Sequence, residues 1–284
     1  MRRFSAFGQD LYPEAGACLA RLALADPAPT RRELREAIIA ELPQRSPSTK
    51  RRLADKLLQR LASFDGEGRV QRAPLLRILA GTADPRTRAH LTYYRTAAVE
   101  HVLGALAEEV LFPYLVSGRP PEGMGRTQFR VANASDLFES DRVVTRRLIS
   151  AYARSVWRFS SESTLTRALR MMRQVGIIEG MDRQVMGRRL TCFVRVPIRV
   201  GPITLAYALH EEFGGDRSVR VDRVQSGRAA RRFLLEPIQV LALLQELRRE
   251  GLVGLSRRGS HGYLTFPDAP PEEFVSRLIE SGLT

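Results

Sequence analysis

The sequence predicts a mainly α protein: a helical N-terminal domain with a helix-turn-helix, followed by two winged-helix-like modules with short β-hairpins. Three observations lead there. From Ser163 to Val196 the chain reads as helix, glycine stop and hairpin. Leu165, Ala168, Leu169 and Met172 fall at i, i+3, i+4 and i+7, Gly176 follows, and Ile177-Ile178 and Thr191 to Val196 favour strands. The same phrase returns at Val240, Leu243, Leu244 and Leu247, closed by Gly251 and followed by Leu252-Val253. Positions 165–178 and 240–253 align without a gap, the mark of two like modules. The first half is a series of amphipathic helical patterns punctuated by Pro, Gly and Ser.

In order, a short helix is expected around Ala15 to Ala25, closed by Pro27 and Pro29. Thr30 caps a second helix to Leu42, with Leu34, Ile38 and Leu42 on one side. After Pro43 to Pro47, Ser46 or Ser48 caps a third, whose inner face is Ala54, Leu57, Leu58 and Leu61. Its outer face carries Thr49, Lys50, Arg51, Arg52, Lys56 and Arg60, so this pair of helices resembles a helix-turn-helix with a basic N-terminus suited to phosphate. Asp84 to Val116 reads as one long helix disturbed by Pro113. Gly118 to Gly125 is the strongest linker signal, and Ser135 to Trp157 reads as mainly helical, with Val143, Val144 and Leu148 inside. Ser163 caps the first module helix, and Asp182 to Arg189 forms its turn around Gly187.

In the second module a helix through Leu205, Ala208 and Leu209 ends at Gly214-Gly215, and Val219 and Val221 suggest a short strand. Arg257 to Gly262 forms a turn, and Phe274, Leu278 and Ile279 mark a final packing helix. The expected division is 1–117 as the helical domain, 118–134 as linker, 135–200 as the first winged module and 201–284 as the second.

Charge points to a polyanion. The chain has 45 basic and 31 acidic residues, a net charge of +14. Each phosphate that such a surface neutralises releases counterions. Of the cations only Lys50 and Lys56 are lysine, a skew that often follows genome composition, but the excess charge stands regardless. The candidate DNA-binding residues are Thr49, Lys50, Arg51, Arg52 and Lys56 on the third helix, and Thr164, Arg167 and Arg170 on the first module helix. Arg183, Arg188 and Arg189 on its hairpin and Arg257 and Arg258 on the second hairpin complete the set. A basic helix face is also what an ordinary solvated bundle or a subunit contact presents. Gln245, Glu246 and Glu250 temper the second module helix and argue against its entering a groove.

Other classes find little support. Cys18 and Cys192 are far apart and form neither a metal spacing nor a disulfide framework, which suits a reducing cytoplasm. Gln9-Asp10 interrupts the N-terminal stretch before an apolar run develops, so no signal peptide is expected. No stretch approaches the roughly 18 apolar residues of a membrane span. Phosphate-binding glycine loops and nucleophile elbows are absent, and His210-Glu211-Glu212 lacks the second histidine of a zinc helix. The four histidines, including His90, His101 and His261, read as packing or turn residues; no cofactor, metal or enzymatic activity is expected. Aromatic residues at 7% offer no stacking platform for RNA.

The run Gln44-Arg45-Ser46-Pro47-Ser48-Thr49-Lys50-Arg51-Arg52-Leu53, the Tyr93-Tyr94 helix and the segment Ser163 to Ile178 resemble the BrxA family of bacteriophage-exclusion (BREX) defence systems. The resemblance covers about residues 1–200. It implies a small, mostly helical protein that binds DNA without enzymatic activity inside a multi-subunit antiphage assembly. Lys50, Arg51 and Arg52 match the family's helix start, whereas the last third departs from it. The expectation is therefore a cytoplasmic double-stranded DNA-binding protein working mainly through phosphates, with defence-system subunits as further partners. The alternatives are a protein–protein assembly subunit and a sequence-specific transcriptional regulator.

Overall fold

The computed structural model describes residues 13–44, 46–133, 142–185, 188–267 and 271–280. The protein is mainly helical, with two small three-stranded antiparallel sheets. In chain order come α1 (Pro13–Ala23), α2 (Arg31–Glu41), α3 (Pro47–Leu61), α4 (Pro74–Gly81), α5 (Pro85–Val99) and α6 (His101–Ala105). A π-helical turn (Leu106–Leu111) leads to α7 (Phe112–Leu115) and α8 (Arg126–Asn133). Then follow β1 (Val143–Thr145), α9 (Arg146–Ser155), α10 (Glu162–Gln174), β2 (Ile178–Val185) and β3 (Arg188–Arg195). The last part holds α11 (Pro202–Phe213), β4 (Val219–Arg220), α12 (Val221–Gln225), α13 (Arg228–Arg232), α14 (Pro237–Arg249), β5 (Gly254–Arg258), β6 (His261–Thr265) and α15 (Pro271–Glu280). Among the described residues no helix is long and apolar enough to cross a membrane.

The chain folds into two compact units, and neither is one continuous stretch. One comprises 1–99, 200–221 and 242–284; the other comprises 100–199 and 222–241. This grouping differs from the linear division read from the sequence, because the elements of the second hairpin cluster with the N-terminal helices. Sequence patterns report which residues seek burial, not which distant segment buries them.

In the first unit α5 is the central helix, buried on almost every side by α1, α3, α4 and α11. Thr30 and Glu33 form a reciprocal capping box at the start of α2. Ser46 caps α3 and Pro47 occupies its first position, which decides between the two serine candidates. Arg60, expected outside, is only 2% exposed and joins the inner face beside Leu57 and Leu61. Tyr94 donates to the Ala208 carbonyl of α11 at 3.3 Å. His210, also on α11, stacks on Phe274 at 4.4 Å and meets Phe266 edge-on at 5.6 Å. Burial pushes its pKa below the ordinary histidine value.

Within the second unit the stretch from α8 to β3 runs helix, strand, helix, helix, strand, strand: α8, β1, α9, α10, β2, β3. β3 lies between β1 and β2, with Val143 opposite Val194 and Gly180 opposite Phe193. Val143 and Val144, expected on a helix, are therefore strand residues; alternation buries both because the strand is covered on both sides. Residues 135–141 of that expected helix lie outside the described residues. The stretch expected as linker contains α8, whose Phe129 is buried against Tyr114. The long helix expected over Asp84 to Val116 breaks at Glu100 without proline or glycine. Its apolar stripe continues on both sides, so periodicity does not reveal the break.

The helix-to-strand joints repeat closely. α10 and α14 are each 13 residues long and align without a gap. Gly176 and Gly251 follow them with φ of +75° and +68°. At the first joint the Ile177 amide donates to the Met172 carbonyl and the Gly176 amide to Arg173; at the second, Leu252 donates to Leu247 and Gly251 to Arg248. Both are Schellman closures, which need a residue at positive φ. Each joint leads into the outer strand of its sheet, ordered β1-β3-β2 in one unit and β4-β6-β5 in the other. Val221 departs from expectation by starting α12 rather than extending β4, and α13 was not anticipated. The second hairpin turns through Gly259-Ser260, with Gly259 at φ +61°. The first turn, with Gly187, lies outside the described residues, and strands reach farther into Asp182 to Arg189 than expected.

Two outcomes test these assignments. A Cβ at Gly251 meets nothing within 4 Å and one at Gly176 makes only ordinary contact with Ile198, so alanine there costs backbone strain alone. Gly176→Ala and Gly251→Ala should each lose roughly 1–2 kcal/mol in urea unfolding. Burial makes the His210 imidazole take a proton less readily in the fold than in the unfolded chain, where a histidine does so near pH 6.5. Its contribution is complete above that value and is lost as pH falls below it. Between about pH 7 and pH 5.5 the melting temperature of the protein should therefore fall more than that of His210→Phe.

Candidate nucleic-acid interface

In the second unit α10 and the β2–β3 hairpin, which carry six of the candidate residues, enclose a cleft of about 490 Å³. The buried stripe Leu165, Ala168, Leu169 and Met172 fixes how α10 is turned. At about 100° per residue, Arg170 then lies mid-way along the outward arc. Thr166 and Arg173 lie on the edge toward the hairpin, and all three line the cleft. Ser161 starts the helix, accepting from the Thr164 amide at 3.4 Å; Ser163, the expected cap, lies inside the first turn.

Arg146, at the start of α9, ties the helix in place. Its Nη2 donates to Glu162 Oε2 at 2.7 Å, to the Glu162 carbonyl at 3.1 Å and to Thr166 Oγ1 at 2.9 Å. That guanidinium, with help from Ser150, holds the Glu162 carboxyl below the usual carboxylate range. The opposite wall comes from one face of the hairpin, at Gly180, Asp182, Thr191 and Phe193. Arg173 lies over Gly180, its guanidinium 3.5 Å from where a Cβ would stand. Asp182 accepts from Arg189 at 2.5 Å and from Thr191 Oγ1 at 2.9 Å. The Arg189 bond is the main reason, and the Thr191 bond the next, that the Asp182 carboxyl titrates below its ordinary value.

The expected residues are thus only partly gathered. Arg170 lines the cleft, and Arg189 shares the hairpin face that bounds it. Thr164 is half-buried and bonded to the Ser161 hydroxyl at 2.9 Å, occupied with capping. Arg167 falls on the far edge of α10 beside buried Met171, and its Nε is buried without a hydrogen-bond partner. Arg183 is on the other face of the hairpin, with Nε against Met181 Sδ at 3.3 Å. Arg188 pairs with Val185 at the end of the ladder, and its side chain lies outside the described residues. Arg146 and Arg173 were missed. The i+3 spacing from Arg170 was a usable signal for Arg173, but nothing local marks Arg146.

The other candidates are in the first unit. On α3, Arg51 and Arg52 are exposed while Thr49, Lys50 and Lys56 are half-buried, and the outward arc also holds Asp55, bonded to Arg35 at 2.6 Å. Arg52 is near the middle of that arc beside Lys56, its i+4 neighbour, while Arg51 lies on the opposite edge and does not share their face. Arg257 and Arg258 are exposed at the tip of β5 and, as strand neighbours, point to opposite faces. Among the described residues no group of three His, Cys, Asp or Glu side chains is placed to hold a metal. No family model, curated protein or solved structure matches the chain.

The Asp182–Arg189 pair has a direct readout. A carbon-detected NMR titration should place the Asp182 midpoint below about 3.9, and Arg189→Ala should raise it. An unmoved midpoint would rule out the pairing of Arg189 with Asp182.

Proposed function

We propose that the protein is a non-enzymatic, cytoplasmic double-stranded DNA-binding protein built on two winged-helix modules. The observation that carries this reading is the pairing of α10 with its hairpin around an arginine-lined cleft. The element order α8, β1, α9, α10, β2, β3 and the strand order β1-β3-β2 suit a winged helix, with α10 as the helix offered to DNA. A helix of 13 residues extends about 20 Å, enough to lie in a major groove. Arg170 and Arg173 supply phosphate or base-edge contacts, and the hairpin flanks the backbone beside them. The elements from α11 to β6 follow a similar order with one helix more, α13, and the strand order β4-β6-β5, which supports a second module of related kind. The net charge of +14 favours binding dominated by phosphates, hence sensitive to salt and weakly selective. The resemblance of the Gln44 to Leu53 run to BrxA proteins supports a place in a BREX-type antiphage system.

A second reading, as an assembly subunit, is favoured by α14. Its outward side begins with Ile238 and Leu241, 67% and 37% exposed, where α10 carries Ser163 and Thr166. Such a face suits another protein better than phosphate. The two readings are compatible if one module holds DNA and the other a subunit.

Arg170→Glu combined with Arg173→Glu should lower duplex affinity at least tenfold in fluorescence anisotropy. If the two arginines neutralise two phosphates, the slope of log K against log salt should become shallower by about 0.9 for each. An unchanged affinity and slope would discard the α10 cleft as the DNA surface.

A further inference from the structure

The β4–β6–β5 sheet of the first unit carries a cationic face of its own. In register, Arg220 stands opposite Tyr263, Tyr263 opposite Ser256, and Arg258 opposite His261. Strand alternation puts these five side chains on one face. Val219 and Leu264 take the other face and are buried, so the Arg220 face is the outer one. Arg220, Arg258 and His261 are exposed and Tyr263 is half-buried. The strands read Val-Arg, Gly-Leu-Ser-Arg-Arg and His-Gly-Tyr-Leu-Thr, with no acidic residue among them.

The side chains are drawn together rather than splayed. Arg220 Nη2 lies 3.3 Å from His261 Nδ1. Arginine has no acceptor, so in this contact the guanidinium donates and Nδ1 accepts. The Arg258 guanidinium lies 5.3 Å from the centre of the Tyr263 ring. A guanidinium held over an aromatic ring keeps its in-plane N–H groups for oxygen atoms.

We propose that this outer face, with Arg220, Arg258, His261 and Tyr263, is a second nucleic-acid site that grips backbone phosphates. The second module then contacts nucleic acid through its sheet and not through α14, whose outward side is apolar at Ile238 and Leu241. With the α10 cleft the chain becomes bivalent, one site in each unit, and holds two duplex segments at once. Bivalence rests on the cleft reading; the sheet site stands on its own residues.

The test is a bridging assay with the full chain, a duplex fixed on beads and a second, fluorescent duplex in solution. The parent should retain the fluorescent duplex. Arg220→Glu with Arg258→Glu should still bind the fixed duplex but retain at least tenfold less of the second, and the corresponding glutamine pair should fall between, with unchanged circular dichroism. A glutamate variant that bridges as the parent does overturns the sheet site, and this outcome also exposes bridging by self-association. A parent that binds one duplex and never bridges overturns bivalence while the cleft reading survives. If Arg170→Glu with Arg173→Glu binds duplex undiminished, the cleft reading fails instead. The sheet variant's own duplex affinity then decides: a tenfold loss sustains the sheet site, and none removes it.

Discussion

A glycine in the left-handed region sets the joint between helix and sheet once in each unit. At Gly176 and Gly251 the chain reverses within a single residue, and the same pair of amide-to-carbonyl bonds closes the helix end. The next residues, Ile177 and Leu252, are buried, so each joint is held by packing as well as by hydrogen bonds. This fixes the direction in which β2 leaves α10 and thereby the space between helix and hairpin. The cleft with Arg170, Arg173 and Asp182 is a consequence of that joint, and Arg146 braces it from the other end of the helix.

The two joints carry different surfaces. The inner positions of α10 and α14 agree: Leu165, Ala168, Leu169 and Met172 in one, Val240, Leu243, Leu244 and Leu247 in the other. The outer positions differ. Thr166, Arg167 and Arg170 on α10 correspond to Leu241, Ala242 and Gln245 at the matching places on α14. In the other sheet Arg220, Arg258 and His261 are grouped on one face. Packing restricts what the inner positions accept, whereas solvent-facing positions change at little cost to the fold.

Much of this was legible in the sequence where the cause is local. The helical stripes, both glycine stops, the cap at Thr30 and the second turn depend on neighbours in the chain, and each stands where its residues suggest. The misreadings have a common physical origin. Val143 and Val144 became a strand because Val194 and Phe193 pair with them, and the Glu100 break has no local marker. Arg60 was read as exposed from its type, yet it points inward. In the candidate site Arg170 could be picked from helical periodicity. Arg146 could not, because its role comes from Glu162 and Thr166, brought near it by folding. Arg183 and Arg189 differ only in which way the strand turns them, and that depends on register.

The backbone passes between the units at 99/100, 199/200, 221/222 and 241/242. Cutting at the boundaries that sequence composition suggests, near 117, 134 or 200, therefore severs partners that complete one another's interior. A fragment ending before 200 has α5 without α11, leaving Tyr94 without the Ala208 carbonyl and the Tyr207 ring. One ending before 222 loses the Arg232 partner of Glu108 and strands a carboxylate in a poorly solvated place. Neither unit is one continuous stretch, so each closes only when segments distant in the chain come together.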